Sequence, residues 1–254
     1  MSELERIQKV LSQLGIGSRR EIERLIQQGA IKVNGAIAQL GDKISVHDQV
    51  WVNHKKITLE HQAKDVTRMI IYYKPVGEIC SRQDPLFKKT VFDHLPPIQG
   101  GRWIQIGRLD LNTSGLLIFT NQGDLAHQMM HPSFSIEREY AVRVFGQVTD
   151  EMIKKLKEGV ELEDGLAKFK DVVHVGGEGM NAWYHVVLTE GKNREVRRLW
   201  QSQGVEVSRL IRVRFGPIVL PRFLSQGKWI EAKPAQVNEL VRYLGMNHGS
   251  SEGR

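Results

Sequence analysis

The sequence predicts an α+β protein with two parts. Helical and strand patterns interleave irregularly, without the strand–helix–strand alternation that builds a doubly wound parallel sheet. Residues 1–60 read as helix, helix, small sheet, and the texture then changes to longer β-rich runs. Between them, residues 58–67 (TLEHQAKDVT) are polar and lack an apolar period, and 61–67 is read as a linker. The chain has 254 residues, 41% hydrophobic and 26% charged, enough to bury a core and too apolar to be mostly disordered.

In the first part, Ser2-x-x-Glu5 has the form of a capping box, and Leu4, Ile7, Leu11 and Leu14 follow at helical spacing. Gly15 and Gly17 end that helix. Ser18-x-x-Glu21 is a second capping box, followed by Ile22, Leu25 and Ile26, with Gly29 as the stop. Alternation from Ala30 to Val33 runs into Asn34-Gly35, the pair favoured by a hairpin turn with two positive φ angles. A strand pair is expected around Val46–Ile57.

In the second part, strands are expected at Met69–Tyr73 (stopped by Lys74-Pro75), Trp103–Ile106, Leu116–Phe119, Tyr140–Phe145, Tyr184–Thr189 and Leu210–Phe215. Helices are expected at Gly123–Met130, Asp150–Glu158, Arg194–Gln203 and Ala235–Leu244, with a glycine-rich turn at 176–179. This part is taken as 68–246, with 247–254 a frayed tail. No apolar run nears the ~18 residues of a membrane helix, and MSELERIQKV lacks the apolar stretch of a signal peptide. Cys80 is the only cysteine, which excludes an internal disulfide and points to a reducing cytoplasm.

Charge is the first functional signal. Lys and Arg number 36 against 29 Asp and Glu, giving +7, and the pI is near 9.5. Residues 190–214 hold seven basic and three acidic side chains, so their net +4 exceeds half the total. A solvated helix face accounts for part of this; an RNA-facing groove accounts better for the concentration.

The stretch Gly107–Gly115 is a polar loop between two apolar runs, and Asp110 is its only carboxylate. Such loops carry catalytic groups, although an Asx turn would use the same residue. GxxxxGK[ST] and HExxH are absent, and there is no GxSxG elbow, the one match (249–253) falling in the tail. His127 and His131 are four apart, but no third ligand stands near, so no metal is expected. Val196 and Leu199 should pack inward, which places Arg197 beside a buried edge where it needs a partner. Asp110 is the partner expected from this reasoning.

Two resemblances follow from these residues. QKVLSQLGIGSRREIERLIQQGAIKVNG resembles an S4 domain, an RNA-binding unit, and implies that Arg19, Arg20 and Lys32 meet phosphates. YYKPVGEICS, GRLDLNTSGLLIFTNQGDLAHQMMHPS, EREYAVRV and LTEGKNREVRRL, in that order, resemble the pseudouridine synthases of the small-subunit ribosomal synthase A family. GGRWIQIGRLD, REYAVRVFGQV and GKNREVRRLW are most similar to members that modify large-subunit (23S) ribosomal RNA. Many members have His-Gln where this chain has Arg194-Glu195.

The resemblance implies a mixed, mostly antiparallel sheet with flanking helices. It implies Asp110 as the catalytic aspartate, Tyr140 as the aromatic residue beneath the target base, and Arg197 as the partner of the aspartate. Arg108, Lys192, Arg194 and Arg212 are expected to contact RNA. The reaction breaks the N1–C1′ bond of uridine, turns the base and rejoins it through C5, so no cofactor is expected. Whether Asp110 attacks C1′, attacks C6 or promotes loss of the C2′ proton stays open. The expected partner is a stem-loop of large-subunit ribosomal RNA, free or in a pre-ribosomal particle, bound by a monomer away from membranes. The alternatives are a synthase acting on 16S ribosomal RNA or transfer RNA, and a non-catalytic S4-type assembly factor.

Overall fold

The structure is a computed structural model that describes residues 4–59, 67–82, 89–98 and 101–246. The linker expected at 61–67 lies outside the described residues except for Thr67, and the tail at 247–254 lies wholly outside them. By its contacts the chain divides into two units. One comprises 1–68 with 96–104 and 120–123; the other comprises 69–95, 105–119 and 124–254.

The N-terminal unit contains β1 (Glu5–Arg6), α1 (Ile7–Gln13), α2 (Arg19–Gln27), β2 (Ile31–Val33), β3 (Ala36–Ile37), β4 (Lys43–Ile44), β5 (Val50–Val52) and β6 (Lys55–Ile57). Strands β3-β2-β5-β6 form an antiparallel sheet, and β1 pairs with β4. Ile7, Leu11, Ile22, Ile26, Ile31, Ile44 and Val50 make the core, the apolar positions that helical and strand spacing selects. The α2 cap forms as expected: the Ser18 hydroxyl accepts from the Glu21 N–H at 3.2 Å, and the Glu21 carboxylate accepts from the Ser18 N–H at 2.6 Å. The β2–β3 turn places Asn34 at φ 50° and Gly35 at φ 91°, both left-handed.

The first helix departs from expectation. It starts at Ile7 with Arg6 as an N-cap that makes no side-chain cap. Glu5 and Arg6 are a strand against Ile44 and Lys43, and the Ile7 N–H donates to the Asp42 carbonyl. With Glu5 and Arg6 extended against β4, the helix starts only at Ile7, and Leu4 is exposed. Ser2 lies outside the described residues.

The second unit is built on β7 (Met69–Lys74), β8 (Ile104–Ile106), β9 (Ser114–Thr120), α3 (Gly123–Met130), β10 (Arg138–Phe145), α4 (Asp150–Glu158), β11 (Val160–Leu162), β12 (Gly165–Ala167), β13 (Asp171–Gly176), β14 (Asn181–Leu188), α5 (Glu195–Ser202), β15 (Glu206–Phe215), β16 (Ile218–Val219), β17 (Trp229–Glu231) and α6 (Pro234–Tyr243). One sheet runs β13-β14-β10-β15-β9-β7-β17, with β8 on β9 and β16 on β15. The registered pairs are antiparallel except β9–β15, which is parallel. The class is α+β, and the sheet is mixed and mostly antiparallel. Strand β9 is buried throughout, which is why its sequence reads as an apolar run rather than an alternation. Strands β13 and β17 and the β11–β12 hairpin escaped the sequence reading; they are short or carry weak alternation.

Trp200 and Leu199 of α5 are fully buried. The Trp200 ring lies 5.1 Å from Tyr184 and 5.9 Å from Phe169. Helix α5 packs on β15 and β11.

Candidate active site

The loop from Gly107 to Thr113 leaves β8 and enters β9, and its backbone is held residue by residue. The Leu109 N–H donates to Cys80 Sγ at 3.4 Å. The Lys74 ammonium donates to the carbonyls of Asp110 (3.1 Å) and Thr113 (2.9 Å), and also to that of Pro75 (2.9 Å). The Leu111 carbonyl accepts from the Gly77 N–H at 2.9 Å, and the Asn112 carbonyl accepts from Arg197 Nη2 at 2.9 Å. Lys74 is fully buried, and burial lowers its pKa. Its three donors are all spent on carbonyls, which is how an ammonium is accommodated away from water.

The Asp110 carboxylate itself makes no hydrogen bond among the described residues, so the Asx-turn alternative is not realised. It faces a cleft of about 500 Å³ whose walls include Arg108, Thr113, Arg138, Tyr140, Lys192, Arg194, Glu195 and Arg212. The cation nearest to it in the described ion pairs is Arg194, whose Nη1 stands 3.9 Å from Oδ2. Arg194 reaches there because it occupies a left-handed turn (φ 49°) just before α5.

The expected Asp110–Arg197 pair is therefore not formed. Arg197 donates to the carbonyls of Val207 (2.8 Å) and Asn112 (2.9 Å) and tethers the loop instead of the carboxylate. Half-burial and then the nearby Arg194 lower its pKa, while Asp110 acts in the opposite direction. Two carbonyls take Nη1 and Nη2, while Nε is buried without a partner.

Tyr140 lies on β10 between β14 and β15, opposite Val186 and Arg212. A register shift separates it from Glu139, and such a bulge re-aims a side chain. Arg212 in turn stands opposite Gly115 of β9. Gly115 has φ +112°, and a Cβ there would lie 2.3 Å from the Arg212 carbonyl oxygen. Only glycine lets β9 close on β15 directly after the Asp110 loop.

Of the expected residues, Asp110, Tyr140, Arg108, Lys192, Arg194 and Arg212 line one cleft, and Arg197 braces it from outside. The Lys192 ammonium is committed to the carbonyls of Leu166 and Gly165 and to Glu190, so it ties the loop to the β11–β12 hairpin rather than standing free for phosphate. Arg19 and Arg20 are exposed on the first turn of α2, and Lys32 is exposed on β2, in the N-terminal unit. Lys74, Arg138, Glu195 and Gly115 were missed as site residues. A lysine closing an otherwise apolar strand was the available signal for Lys74. Glu195 is buried, and burial raises its pKa; the sequence marks it only as a departure from the family's His-Gln.

This cleft, on this sheet, defines a class. The family profile described as RNA pseudouridylate synthase matches residues 68–202, and that of the S4 domain matches residues 5–50. The chain belongs to the RNA pseudouridylate synthase family and is an RNA pseudouridine synthase. A protein of Haemophilus influenzae named ribosomal large subunit pseudouridine synthase B is 54% identical over 247 residues, spanning 96% of this chain and 69% of the relative. Proteins of the same name from Escherichia coli K12 (54% identical, 93% and 82%) and Pseudomonas aeruginosa (52%, 95% and 63%) are also similar. These relatives carry the name of synthase B, in keeping with the large-subunit members the sequence most resembles and not with the small-subunit synthase A. A crystal structure of a pseudouridylate synthase matches the fold with a TM-score of 0.65 at 24% identity, over 93% of this chain and 99% of that one.

Proposed function

We propose that the protein isomerises a specific uridine of large-subunit (23S) ribosomal RNA to pseudouridine, with Asp110 as the catalytic carboxylate. The observation that carries this reading is the pinned loop, which presents an otherwise unbonded Asp110 into a basic cleft that also holds Tyr140. A carboxylate held by its backbone needs no reorganisation to act. The names of the relatives support the large-subunit target.

In this reading the target uridine leaves its stack at a cost of a few kcal/mol. The Tyr140 ring returns part of that cost, since stacking a base on an aromatic ring contributes ~1–3 kcal/mol. Asp110 acts at C1′, at C6 or through the C2′ proton. The base turns in the cleft and rejoins through C5; the C5 proton leaves by way of the Tyr140 hydroxyl, which passes its own proton to water, and N1 takes up a proton from water, so the formula of uridine is kept. Lys74 and Arg197 act on the loop carbonyls and keep Asp110 in place. Arg194 sets a cation 3.9 Å from the carboxylate, at the edge of the cleft. Arg108 and Arg194 at the rim meet the phosphates that flank the extruded nucleotide. The N-terminal unit, 1–60, supplies a second RNA contact through Arg19, Arg20 and Lys32, which raises the effective concentration of the target.

The test is pseudouridine mapping on large-subunit ribosomal RNA transcripts incubated with the wild type and with Asp110→Asn. A new pseudouridine from the wild type alone, with RNA binding kept by the variant, is expected. Equal product from both proteins removes Asp110 from the chemistry. Product only on small-subunit or transfer RNA replaces the target.

A further inference from the structure

Arg212 is the unusual cation of the cleft. It is 2% exposed, although arginine is almost never fully buried without a partner. One donor is used: Nε gives to the Leu116 carbonyl at 2.8 Å. Nη2 is buried and has no hydrogen-bond partner. No carboxylate among the described residues lies within ion-pair reach of it. The guanidinium carbon sits 5.0 Å from the centre of the Phe215 ring, against which Arg138 also packs at 4.8 Å. Arg138 spends Nη1 on the carbonyls of Ile136, Thr189 and Glu190. Arg212 alone of the two has an orphaned buried donor, and the residue lines the cleft.

Its place in the sheet says what that donor meets. Arg212 stands opposite Tyr140 on one side and Gly115 on the other. Side chains directly opposite on neighbouring strands have Cβ atoms about 5 Å apart. A base lying on the Tyr140 ring therefore presents an edge to Arg212. Uracil carries two carbonyl acceptors, O2 and O4. Phosphates stay with the backbone at the mouth, where the exposed Arg108 and Arg194 are.

We propose that Arg212 binds the extruded base, its guanidinium donating to a carbonyl oxygen of uracil. This rests on the function proposed above. Each route open to Asp110 then strengthens the bond. If the C1′–N1 bond breaks, its electron pair stays on the ring and spreads to O2 and O4. If Asp110 adds to C6, the C5=C6 pair moves toward O4. In both cases the acceptor gains negative charge opposite a guanidinium, so Arg212 acts on the transition state more than on binding.

The test uses an RNA stem-loop that the wild type has been shown to convert, so absent product exposes failure of the target assignment before Arg212 is touched. Binding is measured with Asp110→Asn protein, to prevent turnover, on that RNA and on the same RNA abasic at the target. Adding Arg212→Lys or Arg212→Gln is expected to weaken binding of the uridine RNA roughly 10-fold or more and that of the abasic RNA less than about 2-fold. In otherwise wild-type protein, kcat is expected to fall more than KM rises. Because a buried arginine supports the fold too, the native side chain is also observed directly. The ¹⁵N guanidinium resonance of Arg212 in Asp110→Asn protein is expected to move with uridine RNA and not with abasic RNA. Equal losses on both RNAs would make Arg212 a phosphate contact and overturn the proposal. So would a lowered melting temperature with the uridine preference intact, or an Arg212 resonance blind to the base.

Discussion

Lys74→Met removes the ammonium beneath the catalytic loop while keeping a long, flexible side chain. Three carbonyls, those of Pro75, Asp110 and Thr113, lose their donor. Bonds to a charged donor contribute ~1.5–3 kcal/mol each, so about 5–9 kcal/mol of gross interaction disappears. Several kcal/mol return because a buried charge no longer has to be stripped of water. The net cost is about 2–4 kcal/mol, within the range of the larger single-site effects. At roughly 2–4 °C per kcal/mol for a domain of this size, the melting temperature falls by about 4–16 °C. The Asp110 carbonyl is one of the freed groups, so its side chain loses its fixed position. An error of ~1 Å in a reacting group can lower the rate about 100-fold. The assay is kcat on a saturating RNA substrate, with melting and RNA affinity measured on the same protein. The expected result is a large loss of kcat at nearly unchanged RNA affinity. A Lys74→Met protein that melts with the wild type and turns over normally would show that the other tethers suffice, and the reasoning would be wrong.

Gly115→Ala forces a Cβ to 2.3 Å from a backbone oxygen on β15; a loss of about 2–4 kcal/mol is expected in urea unfolding, together with loss of turnover. Arg197→Met and Arg194→Gln should separate loop bracing from rim charge: the first lowers melting temperature and kcat, while the second shifts stability by less than about 0.5 kcal/mol, as for an exposed pair, and mainly weakens salt-sensitive RNA binding. Ser18→Ala removes the α2 cap and should cost about 1 kcal/mol by thermal unfolding. On the back of the sheet, the bond from Lys170, opposed by burial and aided by Arg214, holds the Glu137 carboxyl low. Burial pushes Glu139 up, but Arg214 and His185 outweigh it and the net direction is down. A lowered folded pKa means stability that is present above the ordinary carboxylate range and lost as pH falls through the lowered value. Urea midpoints should therefore drop in acid, and Glu137→Gln with Glu139→Gln should flatten that slope.

Much of this was readable from local pattern. The Ser18 box, the Asn34-Gly35 turn and the apolar face of α2 are short-range effects, fixed by backbone donors and side chains within a few residues. Asp110 stood out as the lone carboxylate of a polar loop, and Tyr140 came from family resemblance. The start of α1 departs from the local pattern because Glu5 and Arg6 pair as a strand with residues some forty positions away, so the helix begins at Ile7. The partner of Asp110 was misread because the helical position of Arg197 says that it faces inward, not which acceptor is nearest.

The sequence by itself determined the class of fold, and it singled out a polar loop with one carboxylate and a later run of basic residues. Those follow from spacing, composition and motif, which are properties of neighbouring residues. Tertiary structure alone decided that Lys74 holds the loop, that Arg194 rather than Arg197 reaches Asp110, and that Arg212 lies buried beside Tyr140 with a donor to spare. Each of these depends on strands far apart in the chain meeting in one register, and the distance between two charged groups is set by that meeting.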